Sequence, residues 1–120
     1  MTVYVSESSK SVLSGIGKMK AAMIEDYSNF MSPNDEIRKN MNKEFAEGFV
    51  VKYGSKYIKL LVKDGGSVSA FIVGTDNDKK FKKGDILKPA GWAAPARNKA
   101  RGNILDGGYA IAWTGPMYLG

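Results

Sequence analysis

Neither cysteine nor histidine occurs in this 120-residue chain. Without cysteine there is no disulfide, no zinc–thiolate site and no thiol nucleophile, a composition that suits a reducing compartment. Histidine is the usual base near neutral pH and the commonest metal ligand. Its absence excludes Ser-His-Asp, Cys-His and zinc-hydrolase arrangements. Carboxylate, lysine and tyrosine chemistry remains open, but the expectation is a protein without enzymatic activity, cofactor or metal. Long apolar runs are missing too, so no segment has the length of a membrane span. The N-terminal MTVYVSESSK lacks the basic-then-apolar order of a secretory leader. These absences predict a protein with no membrane partner.

What is present describes an ordinary globular domain. The chain is 43% hydrophobic and 25% charged, and its length suffices for a single core without covalent staples. No repeat, low-complexity tract or linker divides it, which predicts one domain over 1–120. The net charge of +6 is unevenly distributed: the first 48 residues are nearly balanced, and the excess of lysine and arginine falls after them. Such a field attracts phosphates or an acidic protein surface.

The apolar pattern orders the elements. TVYV at 2–5 reads as a short strand. Val12, Ile16, Met19, Met23, Tyr27 and Phe30 recur at steps of three and four, the period of one helix face, within 9–30. Gly15 and Gly17 weaken that helix by roughly 1 kcal/mol each relative to alanine. Ser32-Pro33-Asn34-Asp35 predicts a second helix, capped by Ser32 with Pro33 in its first turn. Ile37, Met41 and Phe45 would form its buried stripe, and Gly48 its end. Its mixed charge argues against a helix-turn-helix reader.

From 49 onward the pattern changes to strands. Gly54-Ser55 predicts a two-residue hairpin turn that opposes Val51 to Ile58 and Phe49 to Leu60. Asp64-Gly65-Gly66 predicts a second turn and a three-stranded meander. Residues 74–85 read as an exposed basic loop, Ile86–Lys88 as a strand, and YAIAW at 109–113 as another, broken by Gly115-Pro116. The fold class is therefore α+β: a helical pair at about 9–48 packed on an antiparallel sheet, open or curled into a partial barrel, at about 49–120.

Several constellations suggest chemistry and then weaken. Gly15-Ile16-Gly17-Lys18 lacks the earlier glycine and following hydroxyl of a phosphate loop. Asp76-Asn77-Asp78 opens like a calcium loop but continues into lysines, so it reads as a surface turn. Glu44, Glu47 and Asp64 would need to converge for metal-dependent phosphodiester cleavage, and nothing in their spacing makes them do so.

The basic and aromatic residues carry more. On the predicted outward sheet face stand Lys52, Tyr57, Lys59 and Lys63, followed in the loop by Lys79, Lys80, Lys82 and Lys83. Lysine attracts phosphate and an aromatic ring stacks on bases, the combination used for single-stranded nucleic acid. The plainer account is a solvated sheet face kept soluble by its lysines. The segment GWAAPARNKARGNI adds Trp92, Arg97, Lys99 and Arg101 among small residues. Its arginines either reach a phosphate or protein, or act as struts to Asp85 and Asp106. Pro95 through Ala100 fits a single helical turn stopped by Gly102.

FKKGDILKPAGWAAPARNKARGNI followed by WTGPMYL resembles the C-terminal portion of small proteins encoded by tailed bacteriophages, over about residues 81–119. The resemblance implies a phage product in the bacterial cytoplasm or the virion; it carries no established activity and no functional residue. The resulting expectation is a non-enzymatic accessory protein that binds nucleic acid. The alternative is a protein-binding module acting on a host factor, or a self-assembling structural or virion protein, engaged through the Met-rich helix or the 91–104 segment.

Overall fold

The computed structural model describes residues 2–32 and 34–117. Strand β1 (Val3–Val5) leads into helix α1 (Val12–Met31) and helix α2 (Glu36–Glu47). Strands β2 (Val50–Tyr53), β3 (Tyr57–Val62), β4 (Ser67–Val73) and β5 (Ile86–Leu87) form one antiparallel sheet in that order. Strands β6 (Tyr109–Ala112) and β7 (Gly115–Pro116) join β1 in a second, ordered β1-β6-β7. The architecture is α+β, with two antiparallel sheets and no closed barrel among the described residues.

Helix α1 begins where Ser11 accepts a hydrogen bond from Ser14 N at 3.1 Å, satisfying one of the free N–H groups of the first turn. Ile16, Met19 and Met23 are buried. These methionines are therefore core. Phe30, at the other end of the stripe, is 62% exposed. The second helix starts later than its sequence suggested. Ser32 caps the end of α1 in a left-handed conformation, and Asp35 is the N-cap of α2, accepting from Arg38 N at 2.8 Å. A carboxylate serves this place as well as a hydroxyl and also favours the helix dipole. The expected role of Pro33 lies outside the described residues. Of the α2 stripe only Phe45 is buried; Ile37 and Met41 are exposed.

Two apolar clusters lie on opposite faces of the four-stranded sheet, as strand alternation dictates. The larger takes Ile58, Leu60, Ala70, Ile72 and Ile86 from the sheet, and Ile16, Met19, Met23 and Phe45 from the helices. The smaller comprises Phe71, Val73, Phe81 and Leu87, with Tyr57, Val68 and Ala100 against it. The sheet face expected to be open and solvated is thus half covered by the segment that follows β4.

The hairpin register also differs from expectation. Val51 pairs with Leu60, Lys52 with Lys59 and Tyr53 with Ile58, and Gly54 N donates to Tyr57 O at 2.9 Å. The turn is two residues longer than a Gly-Ser pair requires, which shifts partners by two and preserves the faces. A bulge at Leu60/Leu61 then alters the register. Leu61 is buried, and Lys63 leaves the strand for a 3-10 turn at Lys63–Gly65. Lys63 therefore does not share a face with Lys52 and Lys59.

Residues 95–104 form no helical turn. They run beside β5: Arg101 N donates to Ile86 O at 2.7 Å, Ile86 N to Gly102 O at 2.8 Å and Ile104 N to Gly84 O at 2.9 Å. Gly115-Pro116 does not simply end β6 but returns along it, Pro116 pairing with Ile111. Gly115, at φ +122, packs on β4 so closely that a Cβ there would lie 2.5 Å from Ser69 O. This contact joins the two sheets, and only glycine permits it. Met117 is exposed, and the rest of the expected apolar tail lies outside the described residues. No described helix is long and apolar enough to cross a membrane.

Candidate nucleic-acid interface

The β2–β3 hairpin supplies the site's floor. Lys52 and Lys59 stand directly opposite each other on the outward face. Like charges at such a pair repel and lower sheet stability. Tyr53, paired with Ile58 at the end of the hairpin, is 63% exposed, and Lys56 stands in the turn with its ammonium 3.6 Å from Asp78. These residues, with Tyr57, Phe71 and Ala93, line a shallow groove of about 300 Å³.

The 90–94 turn forms one wall. Ala90 N and Gly91 N both donate to Ala94 O, at 3.0 and 3.2 Å, which lifts Trp92 out of the chain. Trp92 is 52% exposed, and Lys59 Nζ sits 4.0 Å from its ring centroid. Lys59 Nζ is also 5.9 Å from the Phe71 ring, so one ammonium bridges two aromatic faces within cation–π range.

Arg97 fixes the other wall. Its guanidinium binds Asp78 in bidentate fashion, Nη1 to Oδ2 at 3.0 Å and Nη2 to Oδ1 at 2.9 Å. Nη1 also donates to the Tyr57 hydroxyl, and the guanidinium lies 4.9 Å from the Phe81 ring. The Asp78 side chain is wholly shielded from solvent and accepts backbone N–H bonds from Lys80 and Phe81 at 2.8 and 2.9 Å. Arg97 first, then those two amides, hold the Asp78 carboxyl well below the usual carboxylate range. Asp78 and the Tyr57 hydroxyl in turn raise the Arg97 pKa.

The arginine is thus a strut, as one sequence reading held, but its partner is neither Asp85 nor Asp106. Asp85 accepts from Lys82 N and Asn103 Nδ2 at 3.0 and 2.9 Å. Asp106 accepts from Lys82 Nζ at 2.6 Å, which raises the Lys82 pKa. The turn at Asp76–Asp78 is at the surface, with Asp76 and Asn77 exposed, and only its Asp78 side chain is an internal anchor.

Of the ten sequence candidates, Lys52, Tyr57 and Lys59 line the groove, and Trp92 stands beside it against Lys59. Tyr57 serves as a wall, packed edge-on to Phe71 at 6.0 Å and bonded by Arg97, rather than as an open stacking surface. Arg97 supports that wall, and its charge is balanced by Asp78. Lys82 pairs with Asp106. Lys83 and Lys99 are exposed on the covering segment. Arg101 is half-buried, donates to Lys99 O at 3.0 Å, and has a buried Nε without a partner. It also helps to lower the Lys88 pKa, after the larger effect of Lys88's own desolvation. Lys63 lies on the helical side of the sheet.

Tyr53 and Lys56 were missed. The signal was present in KYGSKY at 52–57, which sets a lysine and a tyrosine on each side of Gly54-Ser55. Glu44 and Asp64 line one groove on the helical side, but no group of three or more acidic residues positioned to hold a metal occurs among the described residues.

A family model matches residues 3–115, from the first residue of β1 to the first of β7. The chain belongs to DUF7717, a family of unknown function. The match takes in both helices and both sheets of this DUF7717 protein, well beyond the last third that carries the phage resemblance. No curated protein matches it, and no solved structure does either.

Proposed function

We propose that this DUF7717 protein binds single-stranded nucleic acid across the β2–β3 hairpin and the 90–94 turn, and performs no chemistry on it. The opposed Lys52–Lys59 pair carries the reading. A repulsive pair on a sheet is accounted for when an anion lies between its members. Trp92, more than half exposed, stands over Lys59 beside that position and offers a ring face to unpaired bases. The phage setting implied by residues 81–119 belongs to the same proposal: a small accessory protein acting on nucleic acid in a bacterial host.

Fluorescence anisotropy with a labelled single-stranded oligonucleotide, at several salt concentrations, tests this. Engagement of Lys52, Lys56 and Lys59 gives a slope of log affinity against log salt near −2, at roughly 0.7 per phosphate. Lys59→Gln lowers the slope by about 0.7, and Trp92→Ala weakens binding by about 1 to 3 kcal/mol through lost stacking. Absence of binding at low salt, or binding that ignores Lys52→Gln and Lys59→Gln together, defeats the proposal.

A further inference from the structure

A second groove, of about 500 Å³, opens between α1, α2 and the Lys63–Gly65 turn. Four aromatic rings build its floor. Tyr27 stacks on Phe45 at 4.3 Å and 14°, and Trp113 meets Tyr27 edge-on at 5.2 Å and 73°. Phe30 leans on Trp113 at 5.5 Å. Asp26, buried in α1, positions the Trp113 end of this cluster by accepting its backbone N–H at 2.8 Å.

The rim is charged. Glu44 and Asp64 line it with two carboxylates, against the single ammonium of Lys63. Lys63 and Asp64 both adopt left-handed backbone conformations, at φ 55 and 56, and Asp64 N donates to Gly48 O at 2.9 Å. That bond ties the turn to the end of α2, on which Glu44 stands. All three charged residues are exposed.

We propose that this groove binds a small organic cation with a methylated or quaternary ammonium group. Aromatic faces attract a weakly hydrated positive charge, and its methyl groups fill an apolar floor without demanding hydrogen bonds. A neutral apolar ligand leaves the excess of carboxylates at the rim unused, and an anion is repelled by it. The aromatic cluster already engages a cation of its own chain: Lys20 Nζ lies 5.9 Å from the Phe49 ring, which packs edge-on to Phe45 at 5.3 Å. Lys63 opposes the ligand, but its long stem lets the ammonium swing toward water.

The charge arrangement gives the test its signs. Choline and its uncharged isostere 3,3-dimethyl-1-butanol are titrated into the Trp92→Phe protein, with Trp113 fluorescence as the readout. Choline should saturate the signal, and the isostere should bind roughly tenfold more weakly. Glu44→Gln and Asp64→Asn should each weaken choline several-fold, whereas Lys63→Gln should tighten it. All three replacements sit at exposed positions and retain side-chain size, and circular dichroism verifies the fold. No saturable response to choline up to about 0.1 M overturns the proposal. So does equal affinity for the isostere, or weaker choline binding in Lys63→Gln.

Discussion

Replacing Gly15 and Gly17 by alanine, one at a time, should move stability in opposite directions. Both glycines lie inside α1, where glycine costs about 1 kcal/mol relative to alanine. At Gly17 an added Cβ meets no atom within 4 Å, so Gly17→Ala should collect that gain in full. At Gly15 the added Cβ would sit 2.8 Å from Ile104 O and 2.9 Å from Ile104 Cγ1. The carbonyl belongs to backbone that is itself tied down, since Ile104 N donates to Gly84 O. Forcing a methyl group into such a contact costs about 1 to 3 kcal/mol. The net effect of Gly15→Ala is then between neutral and about 2 kcal/mol destabilising, and the two variants differ by about 1 to 3 kcal/mol. In a chain of this size 1 kcal/mol moves the melting temperature by about 4 °C. Urea and thermal denaturation followed by far-ultraviolet circular dichroism measure the difference directly. If Gly15→Ala stabilises as much as Gly17→Ala, Gly15 does not meet Ile104 as described, and the reasoning fails.

Two further outcomes follow from buried ionisable groups. Burial pushes the Tyr109 phenol up to about 12, and its hydroxyl has no hydrogen-bond partner among the described residues. Its folded pKa lies above the unfolded value of 10.0, so the stability it supports is complete below pH 10 and is lost as pH rises toward 12. Tyr109→Phe should abolish that alkaline loss in a melting-temperature series and raise neutral-pH stability by about 1 kcal/mol, by removing an unsatisfied buried hydroxyl. Asp78 has the opposite sign: its folded pKa is depressed, so its contribution is present above pH 3.8 and fades as pH falls below that value. Asp78→Asn should reproduce the acid effect at neutral pH, lowering hydrogen-exchange protection across 78–83 and 88–101 while protection at Met19 and in β4 and β5 persists. Unchanged protection in that segment refutes the strut.

The helices and most strands were legible because their signals are local. The period of three and four in α1 identifies Ile16, Met19 and Met23 whatever packs against them. The start of α2 was misplaced because Ser32 and Asp35 are both good caps, and only backbone conformation separates the end of one helix from the start of the next. Ile37 and Met41 satisfy the helical period yet remain exposed, and only Phe45 of that stripe reaches the core. The choice between strut and ligand for Arg97 rested on a partner 19 residues away across a loop, and no spacing rule connects the two. The candidate interface was half visible: lysines and aromatics at alternating strand positions announce a face, but not that Phe71, Val73, Phe81 and Leu87 fill part of it.

That smaller cluster has a consequence for how the molecule opens. Its members come from β4, from β5 and from the loop between them, and it shares the sheet with the larger cluster but not the same face. Loss of the Arg97–Asp78 clamp should therefore free residues 75–83 and 88–101 as a unit of partial unfolding, while β5 stays paired with β4 and Ile86 stays in the helical-side cluster. Trp92 rides on that unit and Lys59 does not. Local melting of the panel would pull indole and ammonium apart, so the groove on the hairpin exists only while the smaller cluster is folded.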